Sequence, residues 1–146
     1  MTTYKIVPHE GIGPVRLGMS LKETRLAMPA APKSFRRVPS DEYKTDAFEQ
    51  SGICVSYTGD RPHVEFIEVA SVEDVTFILS GLDPFAESVK NLLEALEAET
   101  ETVEEKDGSS FILPQWDVSL WRQAAEQERF ETVGAGVDGY FEIGEA

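Results

Sequence analysis

Four residues whose side chains could perform nucleophilic catalysis lie close together in the stretch GICVSYTGDRPHVEFIEVA, residues 52–70. They are Cys54, Ser56, His63 and Glu65. A nucleophile requires a base within hydrogen-bonding reach and a third group that orients the base. A thiol or hydroxyl, an imidazole and a carboxylate are suitable types for these roles. The stretch is therefore compatible with a small hydrolase or transferase that uses these four side chains.

A β-hairpin must position these residues, because two runs rich in β-forming residues flank the Gly59-Asp60 pair. This pair suits a tight turn with a positive φ angle at Gly59, and it predicts a two-residue loop. The corresponding register places three facing pairs on the buried side of the hairpin: Ile53 with Phe66, Val55 with Val64, and Tyr57 with Pro62.

The other side of the same hairpin carries the candidate catalytic residues, with Cys54 opposite Glu65 and Ser56 opposite His63. Cys54 and His63 are then diagonal neighbours, about 7–8 Å apart at the backbone, so their side chains could meet. No oxyanion donor is evident in the stretch, and spacing alone is a permissive criterion. We therefore favour a mixed polar face without catalysis and keep the hydrolase or transferase as the alternative.

The glycine-rich stretch GIGPVRLGMSLKE, residues 11–23, does not match a nucleotide-binding loop. The G-x-G-x-x-G fingerprint would need glycine where Arg16 stands, and a P-loop would need lysine where Met19 stands. The stretch instead predicts a turn followed by a helix, with Ser20 and Glu23 forming a capping box. Gly18 is expected to adopt a backbone angle that is disfavoured for other residues.

Metal and cofactor binding find no support in the spacing of the possible ligands. The only cysteine is Cys54 and the only histidines are His9 and His63, which match neither H-E-x-x-H nor a paired-cysteine zinc motif. The carboxylates do not follow the EF-hand order. We therefore expect no metal site and no cofactor.

The compartment can be predicted from the same sequence. A single cysteine forms no intramolecular disulfide, which suits a reducing compartment. The opening MTTYKIVPHEG lacks the basic and apolar regions of a signal peptide, and no apolar run approaches the roughly 20 residues that span a bilayer. We predict a cytoplasmic protein that contacts no membrane.

The periodicity of the chain predicts a single α+β domain over residues 1–146. Two helices are expected, near residues 20–29 and 83–98, the second with Asp83 as N-cap and Pro84 in the first helical position. The extended runs predict an antiparallel, mostly meandering sheet of about six or seven strands, with both helices packed on one face. The runs FETVG and GYFEIG are expected to supply the two closing strands.

The whole chain has a formal net charge of −14, and its acidic residues are concentrated in the later part. Residues 1–40 carry seven Lys or Arg and two Glu, whereas residues 41–146 carry six Lys or Arg and 25 Asp or Glu. Such a surface repels phosphate backbones, so direct nucleic-acid binding is disfavoured, while a basic protein would be attracted. The alternative is that the charge only maintains solubility.

A candidate docking surface follows the second predicted helix, around the turn signal Asp107-Gly108. Concentrated like charge at such a tip has no evident benefit for folding. In the run WDVSLWR, Trp121 shares a face with Asp117 and Ser119 and is expected to be the more exposed tryptophan, as in an interface. The predicted partner-binding residues are Glu99, Glu101, Glu104, Glu105, Asp107 and Trp121.

Several segments resemble a group of small bacterial proteins with an opening of the type I-x-P-x-x-G-I-G-x-x-x-L-G-M-[ST] and an S-L-W-R motif near the end. They are IVPHEGIGPVRLGMSLKETRLAM, GICVSYTGDRPHVEFIEVA with LSGLDPF, and ILPQWDVSLWR with GYFE. Members of this group resemble immunity proteins, which bind and neutralise bacterial toxins. The resemblance implies a non-catalytic binding module whose partner is a cognate protein toxin, and the acidic surface suggests that this toxin is basic. An interaction protein unrelated to toxins remains a further alternative.

Overall fold

The structure is a computed structural model that describes residues 1–141. This part of the chain contains two helices and mostly antiparallel strands, so the predicted α+β class is confirmed. The helices are α1 (Leu21–Ala27) and α2 (Val89–Glu97). The strands are β1 (Thr2–Val7), β2 (Gly11–Ile12), β3 (Val15–Arg16), β4 (Lys33–Phe35), β5 (Thr45–Phe48), β6 (Ile53–Thr58), β7 (His63–Ala70), β8 (Val75–Leu79), β9 (Val103–Glu105), β10 (Ser110–Leu113), β11 (Val118–Trp121) and β12 (Thr132–Gly136).

The larger sheet has eight strands in the order β4-β5-β6-β7-β12-β11-β10-β9, and every neighbouring pair in it is antiparallel. Two meanders, β4 to β7 and β9 to β12, are joined by the pairing of β7 with β12. The predicted count of six or seven strands is therefore roughly close. Strand β9 ends this sheet on one side, so one of its edges has no neighbouring strand among the described residues.

A second sheet was not predicted. It has four strands in the order β3-β2-β1-β8, and β1 pairs with β8 in the parallel direction. The expectation of one sheet is wrong because a parallel pair between segments some 70 residues apart is determined by tertiary packing, for which the chain carries no local signal.

One hydrophobic cluster joins the two sheets and both helices. Alternate residues of the strands point into this cluster, as the period of two requires. From the smaller sheet it includes Ile6, Phe77 and Leu79; from the larger sheet Val55, Ile67, Val69, Leu113, Leu120 and Val133; and from α2 Val89, Leu92 and Leu96.

Helix α1 begins as predicted. The backbone N–H of Glu23 donates to Ser20 Oγ at 3.0 Å, and the backbone N–H of Ser20 donates to Glu23 Oε1 at 2.9 Å. The capping box is therefore confirmed. The helix ends at Ala27 because Met28 precedes Pro29 and adopts an extended conformation, as residues before proline prefer.

Helix α2 begins five residues later than predicted, with Val89 rather than Pro84 in the first helical position. The Asp83 carboxylate instead accepts hydrogen bonds from the backbone N–H groups of Phe85 and Ala86 in a separate turn. Ser88 is the N-cap, and its Oγ accepts the backbone N–H of Asn91 at 3.1 Å. Two good capping residues precede this helix, and the sequence alone did not indicate which of them begins it.

The closing strand FETVG corresponds to β12, whereas GYFEIG is not described as a strand. Gly139–Phe141 lies in a turn, and the rest of that run lies outside the described residues. The ring of Tyr140 stacks on Phe66 with ring centroids 4.7 Å apart, so the segment after β12 returns to the outer face of the larger sheet.

Gly18 has a φ angle of +87°, which confirms the predicted backbone conformation. A Cβ added there would meet no atom within 4 Å, so any cost of substitution arises from the backbone angle. We expect Gly18→Val to lower the free energy of unfolding by about 1 kcal/mol or more. Gly18→Asn should lose less, because asparagine tolerates positive φ. Equal urea midpoints for the wild type and the valine variant would contradict this explanation.

Candidate functional site

The hairpin formed by β6 and β7 has a longer loop than predicted. Thr58 pairs with His63, so the loop contains the four residues 59–62 rather than two. Gly59 has φ +91°, as expected. The loop extends to Pro62 because proline has no N–H to donate to a strand ladder.

The register of this hairpin differs from the predicted one throughout. Tyr57 faces Val64, and a register shift between Ser56 and Tyr57 then places Ser56 opposite Phe66. As a result Ile53 faces Val69 and Val55 faces Ile67, not Phe66 and Val64. The predicted buried residues of β6, namely Ile53, Val55 and Tyr57, are buried, whereas Phe66 lies on the opposite face and is half-buried.

The predicted catalytic cluster is not assembled by this register. Cys54 pairs with Glu68 rather than Glu65, and Ser56 does not pair with His63. Because His63 pairs with Thr58, its backbone is four residues along the hairpin from Cys54, or about 13 Å. The prediction that Cys54 and His63 are diagonal neighbours is therefore wrong, and the hydrolase or transferase alternative loses the geometry on which it depended.

Cys54 is half-buried on the outer face of the larger sheet. Burial raises the pKa of its thiol, and the nearby Arg37 guanidinium offsets only part of that effect. Because the thiolate is the reactive form, a raised pKa makes Cys54 a poor nucleophile near neutral pH.

We expect Cys54→Ser to leave partner binding and every cellular activity intact. In the wild type, iodoacetamide should alkylate Cys54 more slowly than a free cysteine at pH 7.5, and the rate should keep rising above the usual thiol pKa. The alkylation rate can be followed by mass spectrometry between pH 7 and 10. Loss of activity in Cys54→Ser at an unchanged melting temperature would restore the enzyme alternative.

The predicted docking residues lie mainly at the free edge of the larger sheet. Val103–Glu105 forms the edge strand β9, and a tight turn at Lys106–Gly108 leads into β10. Asp107 has φ +56° and Gly108 has φ +87°, so the predicted turn is confirmed. Glu101, Glu104 and Asp107 are exposed, and Glu105 is half-buried.

The acidic residues do not all share one face. Successive residues of a strand point in opposite directions, so Glu104 and Glu105 lie on opposite faces of β9. Glu105 pairs with Ser110, which pairs with Trp121, and these three residues form a row on the outer face. The side chain of Trp121 is therefore two strands from Glu105, or about 10 Å away. Trp121 is exposed, as predicted, at 38%.

Glu99 lies apart from this edge strand. It follows α2, and its carboxylate accepts a hydrogen bond of 2.7 Å from the hydroxyl of Ser80. Ser80 lies immediately after β8 in the smaller sheet. We call Glu101, Glu104, Glu105 and Asp107 the acidic edge, with Trp121 as its aromatic neighbour.

A second polar cluster was missed by the sequence analysis, and it joins His9, Asp117 and Asp138. His9 Nδ1 lies 2.7 Å from Asp138 Oδ1 and 3.7 Å from Asp117 Oδ2. His9 Nε2 lies 2.8 Å from the carbonyl oxygen of Gln115. The pKa of His9 is raised, chiefly by the hydrogen bond with the Gln115 carbonyl. Burial opposes this effect, and the carboxylates of Asp138 and Asp117 add to it.

Asp117 was expected on the outer face beside Ser119 and Trp121, but it is buried, with 5% of its surface exposed. It precedes β11 and has φ +52°, so the alternation of that strand does not extend to it. His9 is more than 100 positions from Asp117, and Asp117 is more than 20 positions from Asp138, so no local pattern connects the three residues.

Comparison of the chain with protein-family models, with curated proteins and with solved structures finds no match in any of the three. The resemblance to immunity proteins therefore remains a prediction. Neither helix within residues 1–141 is long and apolar enough to cross a membrane. The cytoplasmic location also remains a prediction.

Proposed function

We propose that this protein is a non-catalytic binding module of the immunity type, which neutralises a cognate basic toxin by covering the toxin's functional surface. The observation that carries the proposal is the acidic edge at the free side of the eight-stranded sheet. Within residues 1–141, none of its four acids forms an ion pair with a basic side chain. Their charge is therefore available to a partner.

Strand β9 supports this proposal in a second way. An edge strand leaves backbone N–H and C=O groups unpaired, and partners often bind by adding a strand to such an edge. Acidic side chains on both faces of β9 would discourage pairing between two copies of this chain and favour a basic strand or loop. Trp121 would add an aromatic anchor, a residue type enriched among interface hot spots.

The overall charge supports the same class of partner. A net charge of −14 attracts a basic protein at long range and repels nucleic acid. A toxin that acts on nucleic acid or on another polyanion would carry the complementary basic surface. The hydrolase or transferase alternative is not proposed, because β6 and β7 hold Cys54 and His63 apart.

A capture experiment tests the function. The full chain would be immobilised beside a variant with Glu101, Glu104 and Glu105 changed to Lys, and both would be exposed to lysate of the native host. We expect the wild type to retain a basic protein that the variant does not retain. That protein should inhibit growth when expressed alone and cease to do so when this chain is co-expressed.

Two results would contradict the proposal separately. Equal retention by wild type and variant would show that the acidic edge is not the docking surface. A retained protein that is harmless when expressed alone would instead support an interaction protein unrelated to toxins.

A further inference from the structure

The cluster of His9, Asp117 and Asp138 has the dimensions of a metal site. One nitrogen and two carboxylate oxygens, one from each residue, all lie within 4.8 Å of one another. In a tetrahedral zinc site with bonds of 2.0–2.1 Å, ligand atoms are separated by about 3.3 Å. The observed separations of 2.7 and 3.7 Å from His9 Nδ1 bracket that value. Small side-chain adjustments would therefore bring all three ligands to a cation.

Hydrogen bonding alone leaves this cluster incompletely satisfied. His9 Nδ1 can carry one proton, which it donates to Asp138. Asp117, at 3.7 Å from the same nitrogen, is beyond hydrogen-bonding distance. Among the described residues, the carboxylate of Asp117 accepts a hydrogen bond only from the backbone N–H of Gly139, at 3.2 Å. No Lys or Arg in residues 1–141 pairs with it. Even a protonated His9 supplies only one positive charge for the carboxylates of Asp117 and Asp138, and a divalent metal ion would supply the second.

The orientation of the imidazole also suits a ligand. A metal-binding histidine almost always donates its other ring N–H to a carboxylate or a backbone carbonyl, which fixes the tautomer and the ring plane. His9 Nε2 has such a partner in the carbonyl oxygen of Gln115, at 2.8 Å. In the metal-free protein Nδ1 also carries a proton, which it donates to Asp138. A metal ion would displace that proton, and the Nδ1 lone pair would then point towards the two carboxylates.

The fold holds the three ligands from different directions. His9 lies in the turn between β1 and β2, Asp117 immediately precedes β11, and Asp138 follows β12. The backbone N–H of Gly136 donates to the Asp117 carbonyl oxygen at 2.9 Å, which fixes β12 beside it. The stacking of Tyr140 on Phe66 holds the segment after Asp138. The site therefore joins a turn of the smaller sheet to two strands of the larger one.

We propose that His9 Nδ1, Asp117 Oδ2 and Asp138 Oδ1 bind a divalent zinc ion, with the fourth position open to water. Calcium and magnesium prefer all-oxygen sites, whereas an imidazole together with carboxylates suits zinc and similar first-row ions. This site is separate from the acidic edge, so neither proposal depends on the other.

Calorimetric titration of ZnCl₂ into the full chain, treated beforehand with chelator, tests the site. We expect one equivalent to bind. Binding should weaken at least about tenfold in Asp138→Asn and in His9→Gln, since even residues that only support metal ligands contribute 10–100-fold to affinity. His63→Gln and Asp60→Asn are matched controls elsewhere on the surface and should bind as the wild type does.

Asp138 is the preferred test residue because its side chain is 89% exposed, so its substitution should not disturb folding. Circular dichroism of the metal-free variants would verify this. Cobalt substitution should give visible absorption bands in the wild type that are absent from Asp138→Asn. The proposal is overturned if the wild type binds no stoichiometric zinc, if Asp138→Asn and His9→Gln bind equally well, or if millimolar magnesium displaces the zinc.

Discussion

Asp46→Asn is expected to lower the free energy of unfolding by about 3 kcal/mol at pH 7. The Asp46 side chain on β5 is fully buried and accepts four hydrogen bonds. Arg25 donates through Nε at 2.8 Å and Nη2 at 2.9 Å, Ser34 Oγ donates at 2.7 Å, and Tyr57 Oη donates at 2.8 Å. Asparagine would remove the charge and place an amide N–H₂ against at least one of these donors.

The size of the loss in unfolding free energy depends on the Arg25 charge that remains unpaired after the substitution. Removing one partner of a buried ion pair usually costs 3–5 kcal/mol, because the other charge is left uncompensated. The Arg25 side chain is 43% exposed and can recover part of its hydration, so we take the lower end of that range. Ser34→Ala, which removes a single donor and no charge, should cost about 1 kcal/mol and serves as the matched control.

The effect of Asp46→Asn should depend on pH. Burial raises the pKa of Asp46, but the hydrogen bonds from Arg25, Ser34 and Tyr57 outweigh it and hold that pKa below its usual value. A carboxyl whose pKa is lowered by folding stabilises the folded state above its unfolded pKa of about 3.9. This stabilisation is lost as the pH falls through the lowered, folded-state pKa.

Urea midpoints of the wild type and Asp46→Asn at pH 7, 5 and 3 would measure this effect. The difference between the two proteins should be similar at pH 7 and 5 and should narrow at pH 3. A loss below 1 kcal/mol at pH 7, or a difference that does not narrow in acid, would show that the network around Asp46 contributes little.

Features encoded by neighbouring residues could be predicted from the sequence. The capping box of Ser20 and Glu23 acts over three positions, and the positive φ of Gly18 follows from its place directly before that cap. The alternation of Ile53, Val55 and Tyr57 correctly indicated which face of β6 is buried. In each case the signal and the structure lie within one turn or one strand.

The hairpin register was predicted wrongly because two turn signals compete within four residues. Gly59-Asp60 favours a two-residue loop, whereas Pro62 cannot donate to the ladder and extends the loop to residues 59–62. A change in loop length moves every pairing along the hairpin. The register shift between Ser56 and Tyr57 moves the pairings beyond it by one further residue, and the two effects together separate Cys54 from His63.

Features that depend on distant residues could not be predicted. The parallel pairing of β1 with β8 and the four donors around Asp46 both join segments that are far apart in the chain. The cluster of His9, Asp117 and Asp138 could not be predicted for the same reason, since sequence motifs for metal sites connect only closely spaced ligands. Tertiary packing determines which of the many acids meet the two histidines.

Reversing Glu101, Glu104 and Glu105 to Lys together is expected to slow partner association by at least about tenfold at low salt. Exposed charges act mainly on the rate of encounter, and the change replaces an attractive surface by a repulsive one. The fold should survive, because these residues lie at a sheet edge and none of them forms an ion pair among residues 1–141. Circular dichroism and the urea midpoint would verify folding before kinetics are measured.

A control with the same change in net charge is needed to separate a local surface from a general charge effect. Glu42, Glu73 and Glu94 are exposed acids outside the acidic edge. Reversing these three to Lys alters the total charge equally. This control variant should associate nearly as fast as the wild type if the acidic edge is the docking surface.

The most direct test of docking at the acidic edge is the rate constant with which the captured partner associates. This rate constant would be measured for the wild type and the two triple variants at about 20 and 300 mM salt. Added salt screens exposed charges, so the difference between the wild type and the acidic-edge variant should shrink at the higher concentration. We predict a rate at least about tenfold lower for the acidic-edge variant at low salt, with the control variant close to the wild type. Equal rates for the wild type and the acidic-edge variant at low salt, or equal slowing in both variants, would contradict docking at the edge of the larger sheet.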